Sequence, residues 1–203
     1  MPWKLKNCFK LHLKAVWDNM TDTDNTYQNL KAYFGKRHFE KSDAVDLIQN
    51  GNYYDQCFDL ALSNEQPVAW HTAWALSACQ DNHPEKFRNY FPRIIRALPD
   101  MQKDGHIREL LKYFRHSKLE DFPENERGML FDFCISVFED SRKQPGLRSN
   151  ALQVILIFVE DEPDLLGEVQ AIFELSKNQL SHGVRKSCEH RINAIETRIL
   201  NED

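Results

Sequence analysis

The stretch from residue 146 to residue 159 reads GLRSNALQVILIFV, and it is apolar on nearly every side when wound as a helix. Gly146 interrupts the chain before it, Leu147 and Arg148 begin the helix, and the small Ala151 lies four residues after Leu147. A surface helix carries one apolar stripe, whereas a helix that is apolar nearly all round needs neighbours on several sides. The stretch therefore predicts an interior helix between neighbouring structural units.

The same kind of opening recurs along the chain. It is found at Pro67-Val68-Ala69, His106-Ile107-Arg108, Gly146-Leu147-Arg148 and Gly183-Val184-Arg185. The apolar members stand 39, 40 and 37 positions apart, and mostly small residues follow four positions later, at Thr72, Leu111, Ala151 and Cys188. One more amphipathic helix fits between successive openings. A two-helix period near 40 residues predicts an α-solenoid, in which no unit can bury its apolar face alone.

Apolar residues elsewhere are spaced by three and four, and almost nowhere do they alternate. One stripe, predicted to be a single unbroken helix, contains Phe87, Tyr90, Phe91, Ile94, Ile95 and Leu98. Prolines and glycines fall between the stripes, for example at Pro123, Pro145 and Pro163. The pattern predicts an all-α fold, an α-α superhelix of roughly nine or ten helices that forms a single domain over residues 21–203.

Residues 1–20 form a separate basic amphipathic segment. On a helix, Lys6, Lys10 and Lys14 would make one stripe and apolar residues another. Such a helix can lie on an anionic membrane or dock on a partner. It can equally pack on the adjoining domain, and lysines interrupt it too often for a signal peptide.

Charge and cysteine content restrict the classes of protein. The net charge of -5 and a pI near 5.9 argue against indiscriminate nucleic-acid binding. Residues 67–120 nevertheless hold nine basic and six acidic side chains, and residues 121–180 hold five and twelve. The five cysteines are scattered and form no CxxC pair, which favours a reducing compartment over a disulfide framework or a zinc site. Since no run of 18 apolar residues occurs, we expect a cytoplasmic protein without integral membrane association.

The apolar-Arg opening, the small residues one turn later and the two-helix period resemble HEAT-like (armadillo-type) repeats. Residues 67–200 are also similar to a group of small bacterial HEAT-like proteins. Some of these carry the label adenylosuccinate lyase, an activity that depends on a flexible loop rich in Ser, Met, Pro and Lys. This chain has no such loop, because its serines stand singly in helical or capping contexts. The lyase activity is therefore not supported by the residues.

No familiar catalytic arrangement is present either. The sequence lacks GxGxxG, Walker, GxSxG and HExxH motifs, and its eight histidines are spread out. The closest sulfur–imidazole pair, Cys188 and His190, would point to different sides of a helix. We therefore predict no catalytic residue, no cofactor and no metal, and the residues favour a non-enzyme without deciding the matter.

A candidate binding surface combines aromatic and basic side chains. Its members are Trp70, His71, Trp74, Arg93, Arg108, Lys112 and Arg115. Arginines supply phosphate contacts and aromatics supply stacking, so the set suits nucleic acid. The competing interpretation makes the tryptophans core residues and pairs the basic residues, Arg88 and Arg96 included, with acids of the following repeat, namely Glu124, Glu126, Asp132 and Glu139.

Two functions remain after this comparison. The expected one is a non-catalytic scaffold or adaptor that binds another protein on the concave face of a helical solenoid. The alternative is a nucleic-acid-binding protein of the DNA alkylation-repair type. Those repair proteins bind duplex DNA across a basic face, but their catalytic residues have no position-by-position match here.

Overall fold

The computed structural model describes residues 23–80 and 83–202. The chain divides into two compact units at the bond between Cys79 and Gln80. The basic segment predicted at residues 1–20 lies outside the described residues. The prediction of one domain over residues 21–203 stays a prediction.

The first unit contains four helices. They are α1 (Thr23–Phe34), α2 (Lys41–Gly51), α3 (Tyr54–Ala61) and α4 (Val68–Gln80), whose last residue opens the second unit. Helix α3 packs against both α1 and α2. Helix α2 ends where Asn52 adopts a left-handed conformation, with φ of 53°, which an asparagine tolerates at this position. A side chain on Gly51 would collide with the ring of Tyr53, so a larger residue there would force that ring to move.

The second unit contains seven helices. They are α5 (Glu85–Arg88), α6 (Phe91–Ala97), α7 (Asp104–Leu111), α8 (Glu124–Glu139), α9 (Pro145–Asp161), α10 (Leu166–Ser176) and α11 (His182–Glu202). Short 3-10 turns follow several of them, including Lys112–Phe114 after α7. Across residues 23–80 and 83–202 the structure has no strand, which confirms the all-α prediction.

The stripe predicted as one helix over residues 87–98 is two helices, and that prediction is wrong. An α-helix through this stretch would need the backbone nitrogen of Pro92 to donate to the carbonyl of Arg88, and proline has no N–H. The chain therefore turns at Asn89 and Tyr90, and α6 begins at Phe91 with Pro92 in its first turn. Proline is well tolerated at that position. This break helps to bring the number of α-helices in the described residues to eleven, above the nine or ten predicted.

The second unit has two layers of helices. Helix α9 packs against α7 on one side and α11 on the other, and these three form one layer. Helix α8 packs against α6, α9 and α10, which places α6, α8 and α10 in the other layer. The prediction that residues 146–159 form an interior helix is confirmed, because Leu147, Ala151, Val154, Ile155 and Phe158 are all buried.

Polar contacts between successive repeats follow the predicted period. The Asp104 carboxylate at the start of α7 accepts hydrogen bonds from Lys143 Nζ at 2.9 Å and from the backbone nitrogen of Gln144 at 3.2 Å. The amide of Asn150 donates to the carbonyl of Arg108 at 3.1 Å. These partners lie 39 to 42 residues apart, so the sequence repeat corresponds to the spacing of packed helices.

Candidate functional site

The predicted aromatic residues belong to the first unit and pack within it. His71 Nδ1–H donates to the carbonyl of Phe34 at 2.8 Å, and the ring of Trp74 lies against Phe39 at a centroid distance of 5.7 Å. Lys41 Nζ sits 5.0 Å from the centre of the Trp74 ring. Trp70 is the most exposed of the three, with 39% of its surface accessible. These contacts make His71 and Trp74 part of the packing of the first unit.

The predicted basic residues of the second unit do not all lie together on one face. Arg108 and Lys112 both bind Glu109, at 3.2 and 2.7 Å, and the carboxylate of Glu109 is almost fully buried. Arg93 is exposed on α6, in the other layer of helices. Arg115 follows the 3-10 turn after α7, and it lines a groove that the sequence analysis did not identify.

This groove runs along α9 and α11 and has a volume of about 340 Å³. We call it the arginine groove. It is lined by Arg115, Ser117, Gln153, Leu156, Ile157, Glu160, Arg191, Ala194, Ile195 and Arg198. On each of the two helices the four lining positions are spaced three, one and three residues apart, which places them on one helical face. The groove therefore lies between one face of α9 and one face of α11, which pack against each other.

The lining residues of successive repeats recur at a constant interval of 38 positions. Each lining residue of α11 stands 38 positions after a lining residue of α9, and Arg198 bonds its equivalent, Glu160, across that interval. Gln153 stands 38 positions after Arg115 and 38 before Arg191. The same register thus brings three side chains from three consecutive repeats into one groove.

A family model described as HEAT repeat domain matches residues 26–195. The chain belongs to the HEAT repeat family. Comparison with curated proteins and comparison with solved structures each give no significant match. The resemblance stated from the repeat openings is confirmed, and the fold is that of an all-α helical repeat protein.

The charges in the groove of this HEAT repeat protein are unbalanced. Three guanidinium groups, of Arg115, Arg191 and Arg198, accompany a single carboxylate, of Glu160. Arg198 Nη2 lies 2.6 Å from Glu160 Oε1. The amide of Gln153, with its oxygen facing Arg191, accepts from both terminal nitrogens of that guanidinium. The groove therefore has a positive excess, even though the chain as a whole is acidic.

Apolar side chains form the middle of the groove, between its charged ends. Leu156 is buried, Ile157 is half-buried, and Ile195 is buried on the facing helix. Ala194 is small and exposed, so it leaves room above this floor. A groove with apolar side chains in its middle and arginines at its ends can bind a ligand that has both apolar and anionic groups.

In the part of the chain that the structure describes, no three His, Cys, Asp or Glu side chains are placed to hold a metal ion. In the same residues, no helix is both long and apolar enough to cross a membrane.

Sequence reasoning identified Arg115 and missed Arg191, Arg198 and Gln153. The predicted surface combined tryptophans with nearby basic residues and so ended at Arg115, whereas the three missed residues lie in later repeats. A 38-residue offset from Arg115 leads to Gln153 and then to Arg191, so this spacing could have found two of the three missed residues. It does not lead to Arg198, which stands 38 positions after Glu160.

Proposed function

We propose that this HEAT repeat protein is a scaffold that binds a segment of a partner protein in the arginine groove. The observation that carries the proposal is the placement of Arg115, Arg191 and Arg198 around the apolar floor of Leu156 and Ile157. HEAT repeats are helical scaffolds often used in protein interaction. Binding of this kind needs no catalytic group.

The chemistry of the groove supports a protein ligand. Arginine is enriched at protein interfaces, where its planar group can stack and form several hydrogen bonds at once. Apolar side chains at the centre of a contact, with polar groups around them, reproduce the usual anatomy of an interface. The stack of equivalent positions also gives an extended surface, which suits a chain segment.

Nucleic acid is less well supported by this groove. Single-stranded nucleic acid is usually held by aromatic side chains that stack on bases, and none is among the described residues that line the groove. The net charge of -5 would also repel a polyanion beyond the immediate groove. Binding of nucleic acid is therefore treated as the alternative result of the experiment below.

The test uses a photo-reactive amino acid at position 194, since Ala194 is exposed and lines the groove. Cross-linking is carried out in native cell extract, with and without nuclease. The groove variant removes two charges, through Arg115→Ala and Arg191→Ala. The matched control also removes two charges, through Lys118→Ala and Arg142→Ala, whose side chains are 80% and 89% exposed and do not line the groove.

We expect protein adducts that resist nuclease, persist in the control and disappear in the groove variant. The circular dichroism spectra and melting temperatures of both variants are measured alongside, so that loss of adducts is separated from loss of fold. Adducts that are equally abundant in the groove variant would refute the scaffold proposal. Adducts abolished by nuclease would favour a nucleic-acid protein.

A further inference from the structure

We infer that the arginine groove recognises an acidic segment, in which carboxylates alternate with apolar side chains. This inference rests on the proposed function and specifies the chemistry of the partner. The partner's carboxylates would bind Arg115 and Arg191, and one of them would replace Glu160 at Arg198. The apolar side chains would cover the accessible parts of Ile157 and Ala194.

Charge complementarity favours an acidic partner. Among the described residues, four charged side chains line the groove. They are Arg115 from the turn after α7, Glu160 from α9, and Arg191 and Arg198 from α11. These sum to an excess of two positive charges in a protein whose net charge is -5. The groove therefore attracts carboxylates, although the net negative charge of the protein as a whole repels them.

Glu160 already shows how a carboxylate fits against Arg198. Its Oε1 lies 2.6 Å from Arg198 Nη2, although both side chains are about half exposed. An exposed ion pair contributes little to stability, so exchanging this carboxylate for another costs little. A partner carboxylate that gains two hydrogen bonds from a guanidinium is held in a better geometry than a single contact provides. Glu160 is therefore an internal competitor for the acidic segment.

The size of the groove suits a short segment of chain. A volume of about 340 Å³ lies at the lower end of the range of roughly 300–1,000 Å³ for small-molecule sites. It accommodates a few side chains of an extended or helical segment. The accessible apolar surface of Ile157 and Ala194 distinguishes this ligand from a simple anion, because a free phosphate or carboxylate leaves that surface uncovered.

The test measures binding of a fluorescein-labelled peptide that alternates Glu-Glu with Leu, by fluorescence anisotropy at low and physiological salt. Peptides with Gln in place of Glu, and with Ser in place of Leu, separate the two parts of the recognition. A single-stranded oligonucleotide and a DNA duplex of similar length, and inorganic phosphate as competitor, represent other anions.

We expect saturable binding of the Glu-Leu peptide that weakens with salt and that phosphate displaces poorly. Arg191→Ala should weaken it about tenfold, because a charge-assisted contact is lost. Glu160→Gln should tighten it about threefold to tenfold, because the internal competitor loses its charge. Asp161→Asn is the matched control, since it removes a neighbouring negative charge that does not line the groove and should change affinity less than twofold.

Equal tightening by Glu160→Gln and Asp161→Asn would overturn the inference, because the effect would then be one of general charge. Binding of the Gln peptide as tight as that of the Glu peptide, or no saturable binding, would overturn it too. Tighter binding of an oligonucleotide would replace it with nucleic-acid recognition. If groove-dependent protein cross-links persist while the acidic peptide fails to bind, the scaffold proposal stands and only the partner's chemistry is wrong.

Discussion

Arg148 occupies the opening position of its repeat and is only 1% exposed. Its Nε–H donates to the carbonyl of Phe138 at 2.7 Å, and its guanidinium lies 5.5 Å from the centre of the Phe138 ring. Phe138 is in the last turn of α8, where carbonyls lack helical donors and the helix dipole favours a cation. Burial lowers the pKa of Arg148, while nearby Asp140 acts in the opposite direction. Arg148 therefore caps the C-terminus of the preceding helix, α8.

The arginines at the same opening position of other repeats, Arg108 and Arg185, make different contacts. Arg108 binds Glu109 of its own helix, and Arg185 lies 3.7 Å from Glu189 of its own helix. The interpretation that repeat arginines pair with acids of the following repeat is therefore wrong for Arg108. It is confirmed for Arg96, which lies 3.4 Å from Glu126. The same sequence position thus serves different contacts, because its surroundings differ from repeat to repeat.

Arg148→Ala should lower the free energy of unfolding by about 2–4 kcal/mol, because it leaves a cavity and removes the donor of the Phe138 carbonyl. Arg148→Met fills most of the space and should cost less. Chemical denaturation monitored by circular dichroism measures both. The exposed control Arg142→Ala should stay within about 0.5 kcal/mol of the parent. Equal stability of the Ala variant and the parent would contradict the role assigned to Arg148.

Four cysteines should resist alkylation in the folded protein. Cys57, Cys79, Cys134 and Cys188 are all buried. Burial raises the pKa of the Cys188 thiol to about 11, with Arg191 and Arg148 opposing it, so the thiol stays protonated at mildly alkaline pH. Because the thiolate is the nucleophile, iodoacetamide should label these four positions only after denaturation. Peptide mass spectrometry reports the labelling, and rapid native labelling of Cys188 would refute the burial.

At the scale of elements, α9 is the helix on which the second unit depends. It contacts α7, α8 and α11, and most of its side chains between Leu147 and Val159 are buried. Its remaining open face, around Gln153 and Ile157, is the floor of the arginine groove. One helix thus supplies both core and candidate binding surface.

Ala151→Arg should destabilise the second unit by more than about 4 kcal/mol, because it overpacks a filled site and buries an unpaired charge. Ala151 is fully buried in α9. Asp161→Arg introduces the same side chain at an exposed position of the same helix and should be nearly neutral. Thermal melting distinguishes them, and an unchanged melting temperature for Ala151→Arg would mean that the helix is peripheral.

Phe122 joins elements that are distant in sequence. Its ring lies 5.6 Å from Phe91, 5.4 Å from Phe114 and 6.0 Å from Phe158, measured between centroids. Phe122→Ala should therefore lower the free energy of unfolding by about 3–5 kcal/mol. Met129→Ala, at a position 46% exposed in α8, is the control and should change little. A small effect at Phe122 in chemical denaturation would show that the aromatic cluster can collapse around the loss.

At the scale of the whole molecule, the charge distribution is the feature that bears on function. The chain carries -5 overall, and the arginine groove carries a local excess of two positive charges. Long-range attraction of a polyanion depends on the overall field, whereas recognition of a few carboxylates depends on the local one.

Duplex and single-stranded DNA should therefore bind negligibly at physiological salt, because few phosphates can be neutralised at once. A gel-shift titration at rising salt checks this expectation. Arg115→Glu, in the groove, is compared with Lys118→Glu outside it. Micromolar, steeply salt-dependent binding that Arg115→Glu abolishes and Lys118→Glu preserves would contradict the scaffold proposal.

The sequence by itself determined the helices and their period. Spacings of three and four set which residues lie on one face, and these spacings are local properties of the backbone. The openings at Leu147 and Val184 also predicted which helices are equivalent. The break at Pro92 was predictable in principle, because the missing N–H is a property of proline alone.

Only the tertiary structure decided which side chains meet. The arginine groove exists because Gln153 and Arg191, 38 residues apart, are laid side by side by the packing of α9 on α11. Trp74 instead contacts Phe39, which precedes α2, and Arg108 binds Glu109 of its own helix. The burial of Arg148 and the exposure of Arg198 likewise follow from which neighbours cover each position. Contacts between repeats depend on the rotation and separation of whole helices, and one helix's periodicity does not encode them.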